Sequence, residues 1–158
     1  MISARVDSAD ATEALRQLKQ RIEKETAKTI GRLTLNLLTK VKRDKLSGQV
    51  LNVRTGRLRR SINQKVTTVD GLVVGTVGTN VEYAAVHEYG FKGAVSVKEH
   101  LRTIKMAWGV PIPPKRVTVS AHNRNMNLPM RSFLRSALSD MDAEIMTELR
   151  ASVGRAIA

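Results

Sequence analysis

Histidine and carboxylate side chains that could hold a metal ion or transfer protons are few in this chain of 158 residues. His87 and Glu88 are adjacent, as in the zinc-protease motif His-Glu-x-x-His, but the second histidine position is occupied by Phe91. The other two histidines are His100 and His122, and two histidines without a third ligand make a poor structural zinc site. The sequence therefore predicts neither a metal ion nor a cofactor.

Other catalytic patterns are also incomplete. Gly75 and Gly78 are not followed by the Lys-Ser/Thr pair that closes a phosphate-binding loop. A metal-dependent nuclease needs clustered carboxylates, yet Glu99 is the only acidic residue between Phe91 and Arg135. We therefore expect a protein that is not an enzyme.

The charge is strongly positive, with 27 Lys and Arg residues against 14 Asp and Glu residues and a formal net charge of +13 at pH 7. Such an excess attracts polyanions. Three explanations stay open: contact with DNA phosphates, docking to an acidic partner, and ion pairs with neighbouring subunits. No aromatic base-stacking or recognition-helix pattern accompanies the charge, so sequence reading is not expected. The basic residues expected to face DNA are Lys98, Arg102, Lys105, Lys115, Arg116 and Arg124.

The hydrophobic spacing predicts one α+β domain over residues 1–158. A long helix is expected over 8–48, begun by a capping box of Asp10 and Glu13. A β-rich region is expected over 61–128, and a final helix over 130–157. The pair Asp70-Gly71 is typical of a hairpin turn.

A second hairpin is expected to project as an arm over about 92–128, with its connection at 109–114. The chain has no cysteine and no apolar run approaching the roughly 20 residues of a membrane span. We expect no contact with a membrane. The absence of cysteine fits assembly in a reducing cytoplasm, and the first residues lack the apolar run of a signal peptide.

Three sequence blocks carry a resemblance. They read TGRLRRSI at 55–62, VGTNVEYAAVHEYG at 77–90 and PMRSFLRSAL at 129–138. In this order they resemble the tail-component or neck proteins of lambdoid long-tailed phages, also called tail completion or head–tail joining proteins. Ser132 and Ser136 depart from the pattern, because the family often has proline there.

The resemblance implies a structural virion protein of the neck or tail that forms a ring of about six or twelve copies. It implies contacts with head-side connector proteins (adaptor or stopper), with tail terminator or tail tube proteins, and with passing genomic DNA. The alternatives are a tail terminator that caps the tail tube and a non-specific DNA-binding protein. Residues expected at subunit or partner interfaces are Arg57, Arg59, Arg60, Tyr83, His87, Glu88 and Arg131. Residues expected to maintain the fold are Gly56, Leu58, Gly78, Gly90, Pro129, Phe133 and Leu134.

Overall fold

The computed structural model describes residues 8–69 and 71–157. Helices stand at both ends of the chain and antiparallel strands between them, which confirms the predicted α+β class. The helical elements are α1 (Ser8–Lys40), a π-helical turn (Val41–Lys45), α2 (Arg57–Ser61), α3 (Tyr83–Tyr89), α4 (Leu134–Ser139) and α5 (Asp142–Ile157). The strands are β1 (Asn63–Val69), β2 (Leu72–Gly78), β3 (Phe91–Val97), β4 (His100–Ala107), β5 (Val110–Val119) and β6 (His122–Leu128).

The first helix runs without interruption for 33 residues and then widens into the π-helical turn. Helical structure therefore ends at Lys45 and not at residue 48. The predicted capping position is wrong, because α1 already begins at Ser8 and Asp10 lies within its first turn. None of the described helices is both long enough and apolar enough to span a membrane.

The main core lies where the π-helical turn meets the loop, strand and helix elements that follow it. Val41, Ile62 and Phe133 are fully buried there. The remaining members of this core are Leu46, Leu51, Val81, Ala84 and Ala137. Its members come from residues 41–62, 81–84 and 133–137, so this core joins the end of the first long helix to α3 and α4.

The predicted C-terminal helix over 130–157 is two helices. The chain turns at residues 140 and 141, where the Met141 N–H donates to the Leu138 carbonyl at 2.9 Å. The Asp140 carboxylate accepts a hydrogen bond from the Lys45 ammonium at 2.7 Å, which joins this turn to the end of the π-helical turn. After the turn α5 packs along α1, and the small buried residues on it are Ser152 and Ala156.

The strands form three two-stranded antiparallel sheets among the described residues. In the first, Val69 pairs with Leu72, which confirms the hairpin predicted from Asp70-Gly71, although Asp70 itself lies outside the described residues. This hairpin lies against α1. At Gly75 the hairpin leaves no room for a side chain, because an added Cβ would lie 2.0 Å from the Thr34 hydroxyl oxygen on α1.

The other two sheets follow each other to form the arm. The β3–β6 ladder ends at the Val97–His122 pair, and the β4–β5 ladder starts at the His100–Val119 pair. The arm turns at Trp108 and Gly109, whose φ angles are +47° and +80°. Two positive φ values in a two-residue loop match a type I′ hairpin.

The turn predicted over 109–114 is therefore misplaced. Pro111, Pro113 and Pro114 lie within β5, after the turn. Proline is tolerated there because a two-stranded ladder has no central strand, so each strand keeps one edge that donates no ladder hydrogen bonds.

Candidate functional site

The three sequence blocks, which are distant along the chain, meet at one cleft of about 600 Å³. The first block contributes residues 55–59, the second contributes Tyr83 and His87, and the third contributes Arg131. A second depression of about 490 Å³ lies against Lys42 and Arg60 and shares Arg54 and Arg59 with the cleft. The loop 53–56 lines both depressions and so separates them.

The arginine-rich loop is held by its own backbone. Gly56 has φ +70°, and its carbonyl accepts a hydrogen bond from the Arg60 N–H at 2.9 Å. The Arg60 guanidinium donates to the Thr55 carbonyl at 3.2 Å. At the end of α2, the hydroxyls of Ser61 and Thr79 are 2.6 Å apart and join this helix to the residue after β2. These contacts fix the turn at Gly56 and the short helix α2, which carries Arg57 and Arg59.

The opposite wall is built by α3 and the segment after the arm. The Tyr83 and His87 rings meet edge to face, with their centroids 6.0 Å apart. The His87 carbonyl accepts a hydrogen bond from the Arg131 N–H at 2.8 Å, which places Arg131 beside His87. The approach requires Gly90, whose φ is +76° and where a Cβ would lie 3.0 Å from the Leu128 carbonyl oxygen.

Glu88 clamps the start of α4 to α3. Its buried carboxylate accepts hydrogen bonds from the backbone N–H groups of Phe133 at 2.8 Å, Leu134 at 2.9 Å and Arg135 at 3.0 Å. The Ser132 hydroxyl donates a fourth at 2.6 Å. Burial raises the pKa of this carboxyl, but the backbone donors and the Ser132 hydroxyl outweigh burial and lower the pKa from 4.5 to about 2.

The interface role predicted for Glu88 is therefore corrected. The residue is only 3% exposed and its carboxylate oxygens accept hydrogen bonds within the chain, so Glu88 stabilises the site instead of contacting a partner. Ser132, which departs from the family pattern, is one of its donors. Arg135 completes the clamp, because its guanidinium lies 4.8 Å from the centre of the Tyr89 ring and donates to the Glu88 carbonyl.

The site prediction omitted this clamp. A glutamate whose partners are three consecutive backbone N–H groups and a serine hydroxyl more than 40 residues away leaves no local spacing signal in the sequence. The adjacency of His87 and Glu88 was the visible feature, and the structure separates their roles. His87 lines the cleft while the Glu88 carboxylate points to α4.

The cleft carries a positive charge that acidic side chains do not neutralise. No acidic residue lines it. Within the described part of the chain, the side chains of Arg54, Arg57, Arg59 and Arg131 form no ion pair, and all four residues are exposed. Unpaired guanidinium groups around a concave surface favour an anionic ligand with planar oxygens.

The remaining predicted residues lie elsewhere. Phe133 is in the main core, and Leu58 and Leu134 pack against it. Pro129 lies in the segment between β6 and α4, and Gly78 ends β2 with open space around it. The six basic residues expected to face DNA are all exposed on the arm.

Those six residues do not share one face of the ribbon. Arg102 pairs with Val117 while Arg116 pairs with Thr103, and neighbouring positions along a strand point to opposite faces. His100 and His122 are not paired with each other, and the described residues contain no group of three metal-ligating side chains.

The described residues thus form an α+β domain whose distinctive features are surfaces, namely a cationic cleft and a long ribbon. The chain belongs to the phage virion morphogenesis family, whose model matches residues 8–153. It is a structural component of a phage virion. Neither the comparison with curated proteins nor that with solved structures finds a match.

Proposed function

We propose that this virion protein forms a ring at the junction between head and tail and is needed to join the tail to the head. The observation that carries the proposal is the arm, which is formed by the four strands β3, β4, β5 and β6. The structure describes every residue from 91 to 128, and none of them is buried. A two-stranded ribbon is only marginally stable in water without further packing.

The tip of the arm has the composition of a contact surface. Trp108, the one tryptophan of the sequence, is 100% exposed, and Met106 and Val110 beside it are each more than 60% exposed. Exposed clusters of large apolar side chains mark interaction surfaces, and tryptophan is enriched among the residues that dominate binding energy.

The backbone of the tip supports the same interpretation. Trp108 has φ +47°, a conformation in which glycine or asparagine is favoured. A bulky residue held there costs roughly 1–3 kcal/mol. Tryptophan therefore occupies a turn position that disfavours it, which fits a side chain selected for contact with another molecule.

A second copy of the chain is the proposed partner of the arm. An arm that docks on a different surface of its neighbour makes a heterologous contact, and such contacts close into a ring when the rotation between copies permits. A net charge of +13 suits a ring through which DNA passes. The head-side connector and the tail terminator or tail tube are the proposed neighbours along the particle axis.

Deletion of the gene tests the role. We expect the mutant phage to make full heads and complete tails that stay separate, and a plasmid-borne copy to restore joined particles. Joined, infectious virions from the deletion mutant would contradict the proposal.

The same experiment distinguishes a tail completion protein from a tail terminator. A terminator sets where tail polymerisation stops, so its loss is expected to give tails of irregular length. Tails of normal length that fail to join heads support the completion role.

The exposed basic residues of the arm favour a second candidate, non-specific DNA binding. A free DNA-binding protein should bind duplex DNA with an affinity that falls steeply with salt concentration. Absence of binding at low salt excludes it.

A further inference from the structure

We propose that the cationic cleft is the docking site for an acidic peptide segment that carries an apolar anchor residue, supplied by another virion protein. The inference rests on the proposed function only for the identity of that protein. The site itself is defined by the arginines of residues 54–59, by Arg131 and by the apolar floor between them.

The rim of the cleft selects for carboxylates. Arg54, Arg57, Arg59 and Arg131 line the cleft and have no ion-pair partner in the described chain. Arginine presents a planar fork that matches carboxylate oxygens in pairs. A segment with several aspartates or glutamates would supply the missing charges.

The floor of the cleft selects for an apolar side chain. Leu46 and Leu51 belong to the main core and line the cleft, as do the half-buried Leu58 and Leu128. Val53 is 49% exposed at the edge. Covering this surface with one leucine-sized side chain would remove apolar area from water and so favour a complex.

The site is preorganised, so little ordering is needed on binding. The Glu88 clamp holds the third block, the His87 carbonyl holds the Arg131 backbone, and the Gly56 turn holds the loop. Preorganisation raises affinity because fewer torsions are lost when the partner docks.

Nucleic acid fits the cleft less well than a peptide. Duplex DNA is too wide for a concavity of about 600 Å³, and its charged backbone has no apolar group to place on the leucine floor. A single strand would need base-stacking surfaces, and Tyr83 and His87 already contact each other through their rings.

Fluorescence anisotropy with the full chain tests the proposal. The probe is a short labelled peptide of glutamates around a central leucine. Two control peptides replace the glutamates by glutamine or the leucine by serine, and a labelled single-stranded DNA of equal charge provides the competing ligand. The variants are Arg57→Gln with Arg131→Gln, matched by Lys98→Gln with Lys105→Gln on the arm.

We expect the probe to bind, both control peptides to bind at least about tenfold more weakly, and the arginine double variant to weaken the probe by about a hundredfold. The arm variant, which removes the same charge, should leave probe affinity within about twofold. Equal losses in both variants, or DNA binding tighter than the probe and abolished by the arginine variant, overturn the proposal. Binding is measured on the purified protein, so its failure leaves the test of head–tail joining unaffected.

Discussion

The Glu88 carboxylate accepts a hydrogen bond at 2.9 Å from the backbone N–H of Leu134, a residue 46 positions away in the chain. This contact joins α3 to the start of α4 across the whole arm. The arm leaves the domain after α3 and returns before α4, so the Glu88 clamp closes its base. The cleft and the arm therefore share one anchoring group.

Loss of the clamp is expected to destabilise the domain. Glu88→Ala leaves three backbone N–H groups and the Ser132 hydroxyl without their acceptor, and each buried unsatisfied donor costs about 1–3 kcal/mol. We expect a decrease of at least about 3 kcal/mol in the free energy of unfolding, measured by urea denaturation. Glu82→Ala, at an exposed carboxylate beside the same helix, is the matched control and should change stability by less than about 0.5 kcal/mol.

The clamp also predicts acid sensitivity. Because the folded-state pKa of Glu88 is about 2 and its ordinary value is 4.5, its charge stabilises the fold fully above pH 4.5. That contribution, of about 3 kcal/mol, is lost as the pH falls from 4.5 towards 2. The stability difference between the wild type and Glu88→Gln should therefore shrink over this interval. An equal difference at pH 7 and pH 2 would show that the charge plays no part.

The contact between α1 and the first hairpin predicts a position-specific effect of alanine. At Gly75 a Cβ would lie 2.0 Å from the Thr34 hydroxyl oxygen, whereas nothing lies within 4 Å of the corresponding point at Gly78. Gly75→Ala should lower stability by about 1–3 kcal/mol and Gly78→Ala by much less. Adding Thr34→Ala to Gly75→Ala should restore part of the loss, which a double-mutant cycle would measure.

The sequence predicted elements that have local signals. Helical spacing located α1, and Asp70-Gly71 located the first hairpin. The break before α5 was missed, because it depends on Lys45 reaching Asp140 from a distant part of the chain. The turn of the arm was predicted at the wrong residues because proline is typical of turns. The backbone instead turns at Trp108 and Gly109, before the prolines.

The candidate site was also predicted only in part, because local sequence signals identify motifs but not the direction in which each side chain points. The three blocks were visible as motifs, and the structure brings them together at one cleft. The motifs do not show which of their residues face outward. Glu88 and His87 are adjacent in sequence, yet one is buried under α4 and the other lines the cleft.

The arm tip predicts a separation of folding from assembly. Trp108→Ser removes a side chain that is 100% exposed, so the thermal midpoint of the isolated subunit should not fall. Assembly should fail, because the largest apolar contact of the tip is lost. Native mass spectrometry would report subunits in place of rings, while Trp108→Phe, which keeps an aromatic ring, should still assemble. If Trp108→Ser forms rings as well as the wild type does, the tip of the arm is not part of the interface between copies.

Electron cryo-microscopy of the mature particle, with the chain traced in the density, tests the central claim most directly. The claim predicts a closed ring of this chain at the head–tail junction, with each Trp108 buried against the adjacent copy. Particles in which the chain lies away from that junction, or in which residues 91–128 extend into solvent without touching a second copy, would contradict it.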